Sequence, residues 1–112
     1  MQELIQKLRD FAKARDWDQY HSPKNLVMAL SVEVAELVEH FQWLTQAESL
    51  DLPAEKRACV KEEIGDVLIY LLNLSYKLGI DPIAAAHEKM EKNGQKYPVH
   101  KARGNARKYT EI

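Results

Sequence analysis

Four carboxylates occur in this chain as two pairs of one spacing: Glu33 with Glu36, and Glu63 with Asp66. Three residues apart on a helix, the members of each pair stack on one face. At about 100° per residue, Glu33 and Glu36 lie about 65° and 125° from the centre of the stripe Leu26, Leu30, Val34, Leu37 and Phe41. Glu63 and Asp66 lie about 70° and 130°, in the same sense, from the stripe Val60, Ile64, Val67, Leu71, Leu74 and Leu78. Antiparallel packing of two helices on these stripes would put all four acids on one side. Two carboxylates about 5 Å apart repel by roughly 3 kcal/mol at an effective dielectric of about 20, so a cation is expected among them. The donors are oxygens only, which selects a hard divalent ion: Mg²⁺ first, Mn²⁺ second, with zinc disfavoured. A single pair of this kind is ordinary on an exposed helix, whereas two with matching offsets are not. Glu39 and Glu62 point nearly opposite and read as solvated charges, and His40, one turn after Glu36, is a surface residue or a helper of the site.

A carboxylate-held metal is suited to a small polyanion, and the charge distribution fits that use. Residues 33–66 carry nine acids against three Lys/Arg, whereas residues 92–108 carry six Lys/Arg and no acid. With a net charge of −1, the chain lacks the overall basic surface of a nucleic-acid-polymer binder. Lys89, Lys92, Asn93, Lys96 and Tyr97 offer cations and hydrogen-bond donors at helical or near-helical spacing. Trp17, Trp43 and Tyr70 offer flat apolar surface on the acidic flank, Trp43 one turn beyond His40 and Tyr70 one turn after Asp66.

The elements that must position these groups are helices, because no stretch alternates long enough for a strand. The class expected is all-α with four helices. The first holds Leu4, Leu8 and Phe11 and runs to about Asp16; the second opens at Ser22-Pro23 and continues to about Leu44. The third has Pro53 in its first turn and stops at Gly79; the fourth starts at Asp81-Pro82 and ends at Gly94. From about 95 to 112 a basic tail lies extended or frays. The 112 residues, 46% hydrophobic and 29% charged, suit one soluble domain spanning 1–112. The longest apolar run, Val67 to Leu72, is far below the roughly 20 residues needed to span a bilayer, and the amino terminus shows no export region, so no membrane partner and a cytoplasmic location are expected. The single Cys59 excludes an intramolecular disulfide and reads as a small buried thiol. Apolar residues surround the third helix, which should be buried nearly all round. A chain this small can hardly cover it alone, so a homodimer or homotetramer is expected to supply the rest, the alternative being that the first helix and the tail wrap it within one chain.

Glu33-Val-Ala-Glu36 followed by Glu63-Ile-Gly-Asp66 resembles the ExxE and ExxD signature of MazG-like all-α nucleotide pyrophosphohydrolases. Around it, RDWDQYHSPKNL, EVAELVEHFQW, EEIGDVLIYL, KMEKNGQKYP and RKYTEI look like the dCTP pyrophosphatase branch of that family, so the resemblance covers nearly the whole chain. It implies cleavage of a nucleoside triphosphate, dCTP or a modified dCTP, to the monophosphate and pyrophosphate, as house-cleaning of the nucleotide pool. It also implies that Glu33, Glu36, Glu63 and Asp66 bind Mg²⁺, that Lys89, Asn93, Lys96 and Tyr97 hold phosphates, and that Trp17, Trp43 and Tyr70 line a base pocket. The implied reaction is attack of water on the α-phosphorus without a covalent intermediate, and Glu36, further from the apolar stripe than Glu33, is the choice for orienting or deprotonating that water. The sequence departs from that branch at Leu8, where a His near the base can stand, so strict cytosine preference is not implied. Two rivals remain: a di-iron carboxylate protein, disfavoured because Glu36 precedes His40 by four residues instead of three, and a non-enzymatic helical dimerisation module.

Overall fold

A computed structural model describes all residues, 1–112, as helices and turns, and no strand is present. The order is α1 (Gln2–Ala14), a 3-10 turn (Asp18–Tyr20), α2 (Pro23–Glu39), α3 (Gln46–Ser49), α4 (Ala54–Leu78), α5 (Pro82–Lys96), α6 (Val99–Ala102) and a second 3-10 turn (Tyr109–Glu111). The all-α class and the four long helices are those expected from the sequence. The single turns α3 and α6 are too short for periodicity to reveal. The chain divides into two compact units, Met1–Gly79 and Ile80–Ile112.

Local chemistry sets most boundaries in the first unit. α1 stops at Ala14, two residues earlier than expected, because Asp16 turns left-handed (φ 54°) and the Trp17 N–H donates back to the Ala12 carbonyl at 2.9 Å. Asp18 then ties the turn down, accepting from Arg9 at 2.8 Å and facing Lys77 at 3.5 Å. Ser22 caps α2 by accepting from the Asn25 N–H, with Pro23 in the first turn. α2 ends at Glu39, not at Leu44. The apolar pattern runs on through Phe41 and Leu44, but the backbone tightens: His40, Phe41 and Leu44 donate to carbonyls three residues back. Thr45 and Glu48 then form a reciprocal capping box that opens α3. Gly79, at φ 65°, closes α4 as its left-handed cap.

α1 and α2 both pack on α4, with Ala12, Leu26, Val60 and Leu72 as the buried apolar residues. The packed face of α2 is not the expected stripe. Leu26, Ala29, Leu30, Glu33, Glu36, Leu37 and His40 are its covered positions, while Val34 is 42% exposed. The face is rotated by roughly 60° toward the acids. α4 turns the same way: Glu63, Val67, Tyr70 and Leu74 are covered, while Ile64, Leu71 and Leu78, expected inward, are exposed. The cause is an apolar arc on each helix wider than one helix–helix contact, of which the chain uses the acid-flanked edge. α4 is therefore not buried all round within one chain, and Cys59, expected buried, is exposed. No single helix is long and apolar enough to cross a membrane.

In the second unit Asp81 caps α5, accepting from the Ile83 and Ala84 N–H groups. The helix passes through Gly94, its expected end, to Lys96. The tail is not merely extended: α6 forms, and Tyr109 returns to meet Tyr97 edge to face at 6.0 Å and to lie 4.8 Å from Lys96 Nζ.

Candidate active site

Because the packed faces of α2 and α4 are turned toward their acids, the carboxylates meet inside the interface instead of beside it. Glu33, Glu36 and Glu63 each present an oxygen within 4.8 Å of the others, and all three are half-buried. Oε2 of Glu33 and Oε2 of Glu63 are buried with no hydrogen-bond partner. Burial first, then the neighbouring Glu36 carboxylate and the charges of Asp66 and Glu63, push Glu33 up to about 7. Burial first, then Glu36 and Asp66, raise Glu63 as well. Asp66, half-buried, acts on this trio by charge but lies outside its closest cluster. Orphaned, buried carboxylate oxygens gathered this tightly are the donor set of a hard divalent cation, so the trio could hold a metal ion.

Beside the trio lies a cavity of about 370 Å³ between α1, the turn after it and α4. Leu8, Phe11, Ile69 and the rings of Trp17 and Tyr70 form its apolar wall, with Trp17 set edge to face against Phe11 at 5.6 Å. Asp66 lines the same cavity, so the acidic cluster and the aromatic wall share a boundary. Of the three aromatic residues expected at a base, the fold thus brings Trp17 and Tyr70 together. Trp43 sits in the turn after α2, 87% exposed and outside the cavity. Three polar residues that the sequence reading passed over, Lys7, His21 and Asn73, also line the cavity. Asn73 had a legible signal: Asp66, Tyr70 and Asn73 stand at i, i+4 and i+7, on one face of a helix that is otherwise apolar there.

The remaining candidates are placed more simply. Lys89, Asn93 and Lys96 share one exposed face of α5, and Tyr97 is its C-cap. They belong to the second unit. His40 is the half-buried C-cap of α2, and Glu39 and Glu62 are exposed, as expected.

Comparison with known proteins agrees with this architecture. The family model described as MazG-like matches residues 28–112. The dCTP pyrophosphatase 1 of Mus musculus is 47% identical over 98% of this chain, and that of Homo sapiens 46% over the same share. The chain spans 66% of the length of each. A solved pyrophosphatase from Archaeoglobus fulgidus superposes with a TM-score of 0.83 at 49% identity, covering 88% of this chain and 92% of that one. With its paired acids on α2 and α4 and this match over most of its length, the chain belongs to the MazG-like family.

Proposed function

We propose that this protein is a Mg²⁺-dependent nucleoside triphosphate pyrophosphohydrolase, acting on dCTP or a modified dCTP and clearing the cytoplasmic nucleotide pool. The observation that carries the reading is the shared boundary: an acidic trio with orphaned oxygens abuts, through Asp66, an aromatic-walled cavity large enough for a base. Metal and base subsites side by side suit a nucleotide. The names of the relatives support the same substrate class.

Glu33, Glu36 and Glu63, with Asp66 beside them, would hold Mg²⁺, for which Mn²⁺ could substitute. A Mg²⁺ ion held there would supply polarisation of phosphoryl oxygens and neutralisation of charge on the departing pyrophosphate. The chain's own residues do the rest. Glu36, whose carboxylate has no orphaned buried oxygen, orients the attacking water and takes its proton. Trp17 and Tyr70 stack on the base within the cavity. By chemistry, Lys89, Asn93, Lys96 and Tyr97 are donors suited to phosphate oxygens. We also propose a homodimer or homotetramer, supported by the apolar faces that α2 and α4 leave uncovered. Trp43, so exposed in one chain, is then available to a neighbouring subunit's base.

Incubating the purified protein with each nucleoside triphosphate and Mg²⁺, and identifying the products by phosphorus NMR, tests the reaction. Monophosphate and pyrophosphate are expected, with dCTP among the best substrates. Diphosphate and orthophosphate would overturn the site of cleavage, and no product with any of them would overturn the enzyme.

A further inference from the structure

Asn73 is 7% exposed, lines the cavity, and has no hydrogen-bond partner within the chain. Ser75, the other buried polar residue of α4, satisfies its hydroxyl on the Leu71 carbonyl. Its carboxamide borders the cavity, so a polar group that enters can pair with it. A second polar atom on the same cavity is also unmatched: Nδ1 of His21 is buried without a hydrogen bond. Leu8, Phe11 and Ile69 with the rings of Trp17 and Tyr70 form the apolar wall, and among the polar residues of the lining, Lys7, His21, Asp66 and Asn73, only Asn73 carries a neutral donor and acceptor side by side.

We infer that Asn73 determines specificity by hydrogen-bonding the edge of the substrate's base, pairing with a heterocycle that carries a ring nitrogen beside an exocyclic amine or carbonyl. This rests on the proposed nucleotide reading of the site. On a cytosine the Asn73 carbonyl accepts from the 4-amino group while its amide N–H donates to ring N3. The carboxamide can turn over and serve a uracil edge equally, so Asn73 selects for a polar edge and not for one pyrimidine over the other. The stacking rings tolerate any planar base, and the edge contact is what they lack.

The test compares dCTP with the deoxynucleoside triphosphate of pyrimidin-2-one, which keeps the ring, sugar and phosphates but lacks the 4-amino group. The wild-type protein with Mg²⁺ is expected to favour dCTP in kcat/KM by at least about tenfold, the size of one buried hydrogen bond to a neutral group. Asn73→Leu, similar in size, is expected to bring that ratio close to one through a rise in the KM for dCTP. A packing role alone would weaken both substrates together and leave the ratio standing. A ratio that survives in Asn73→Leu overturns the assignment. A wild-type ratio near one overturns it with no variant needed, and Asn73→Ala replaces the leucine variant if that one does not fold. If the wild-type protein hydrolyses neither compound, the reaction reading fails. The Asn73 assignment is then decided by calorimetric affinities of the same two triphosphates, where the same ratio is expected and equal affinities overturn it.

Discussion

With its carboxyl pushed up to about 7, Glu33 keeps a proton that an ordinary glutamate has already lost at neutral pH. Burial and the neighbouring carboxylates both favour the neutral form, and Glu63 is displaced in the same direction. The sign for stability follows from linkage. Between the unfolded value near 4.5 and the folded value near 7, the folded chain binds more protons than the unfolded one, so metal-free stability falls as pH rises through that window. A divalent ion competes with those protons and reverses the trend. Thermal melts from pH 5 to 8 are therefore expected to show Tm falling in EDTA, with the gap between Mg²⁺ and EDTA widening toward pH 8. Glu63→Gln should abolish turnover and shrink that gap while the helical circular dichroism stays intact. A gap independent of pH, or equal in Glu63→Gln, would remove the trio as the metal site. At this scale the sequence was informative, since spacing and stripe offset singled out four acids, of which the fold gathers Glu33, Glu36 and Glu63 closely and leaves Asp66 at their edge. It gave a poorer account of the polar lining, because His21 and Asn73 acquire meaning only once α1, the turn after it and α4 enclose a cavity.

Helix ends were legible wherever a side chain or a glycine marks them, as at Ser22, Gly79 and Asp81. Where only periodicity spoke, the reading slipped. The stripe of α2 ran on through Phe41 and Leu44, yet the tightened turn that stops the helix at Glu39 has no marker residue. The two glycines read alike, as helix terminators, but the structure separates them: Gly79 has φ 65°, whereas Gly94 is helical, and nothing within 4 Å obstructs a Cβ at either. Their alanine variants should consequently move stability in opposite directions. Gly79→Ala forces a side chain into the left-handed region and is expected to cost about 1 kcal/mol. Gly94→Ala removes backbone freedom from an exposed helical position and is expected to gain up to about 1 kcal/mol. Equilibrium urea unfolding of the two variants against the wild type checks both signs, and a loss at Gly94→Ala would show that position to be something other than plain helix.

What neither the pattern of one helix nor a single cap reveals is which edge of a broad apolar arc a chain keeps for itself. The packing of α2 on α4 uses the acid-flanked edges and leaves Val27, Val34 and Val38 on one helix, with Ile64, Leu68 and Leu71 on the other, between 39% and 55% exposed. These positions recur at i, i+7, i+11 and at i, i+4, i+7, so each set forms a continuous stripe along its helix. Continuous apolar stripes on neighbouring helices are the surface that a second copy of the chain would bury, and the two demands on the arc explain why the acids could turn inward. Leu68, central in its stripe and 39% exposed, is a position where a charge should disturb assembly without entering the acidic trio or the cavity. Burying an unpaired lysine at a subunit interface costs several kcal/mol, enough to shift association by a thousandfold or so. Sedimentation velocity at micromolar concentration is expected to show the wild-type protein as a dimer or tetramer and Leu68→Lys as a smaller species with its helical content retained. A wild-type protein that sediments as a monomer would leave those stripes as solvent-facing surface and refute the assembly, while the chemistry argued for Glu33, Glu36 and Glu63 would have to operate within one chain.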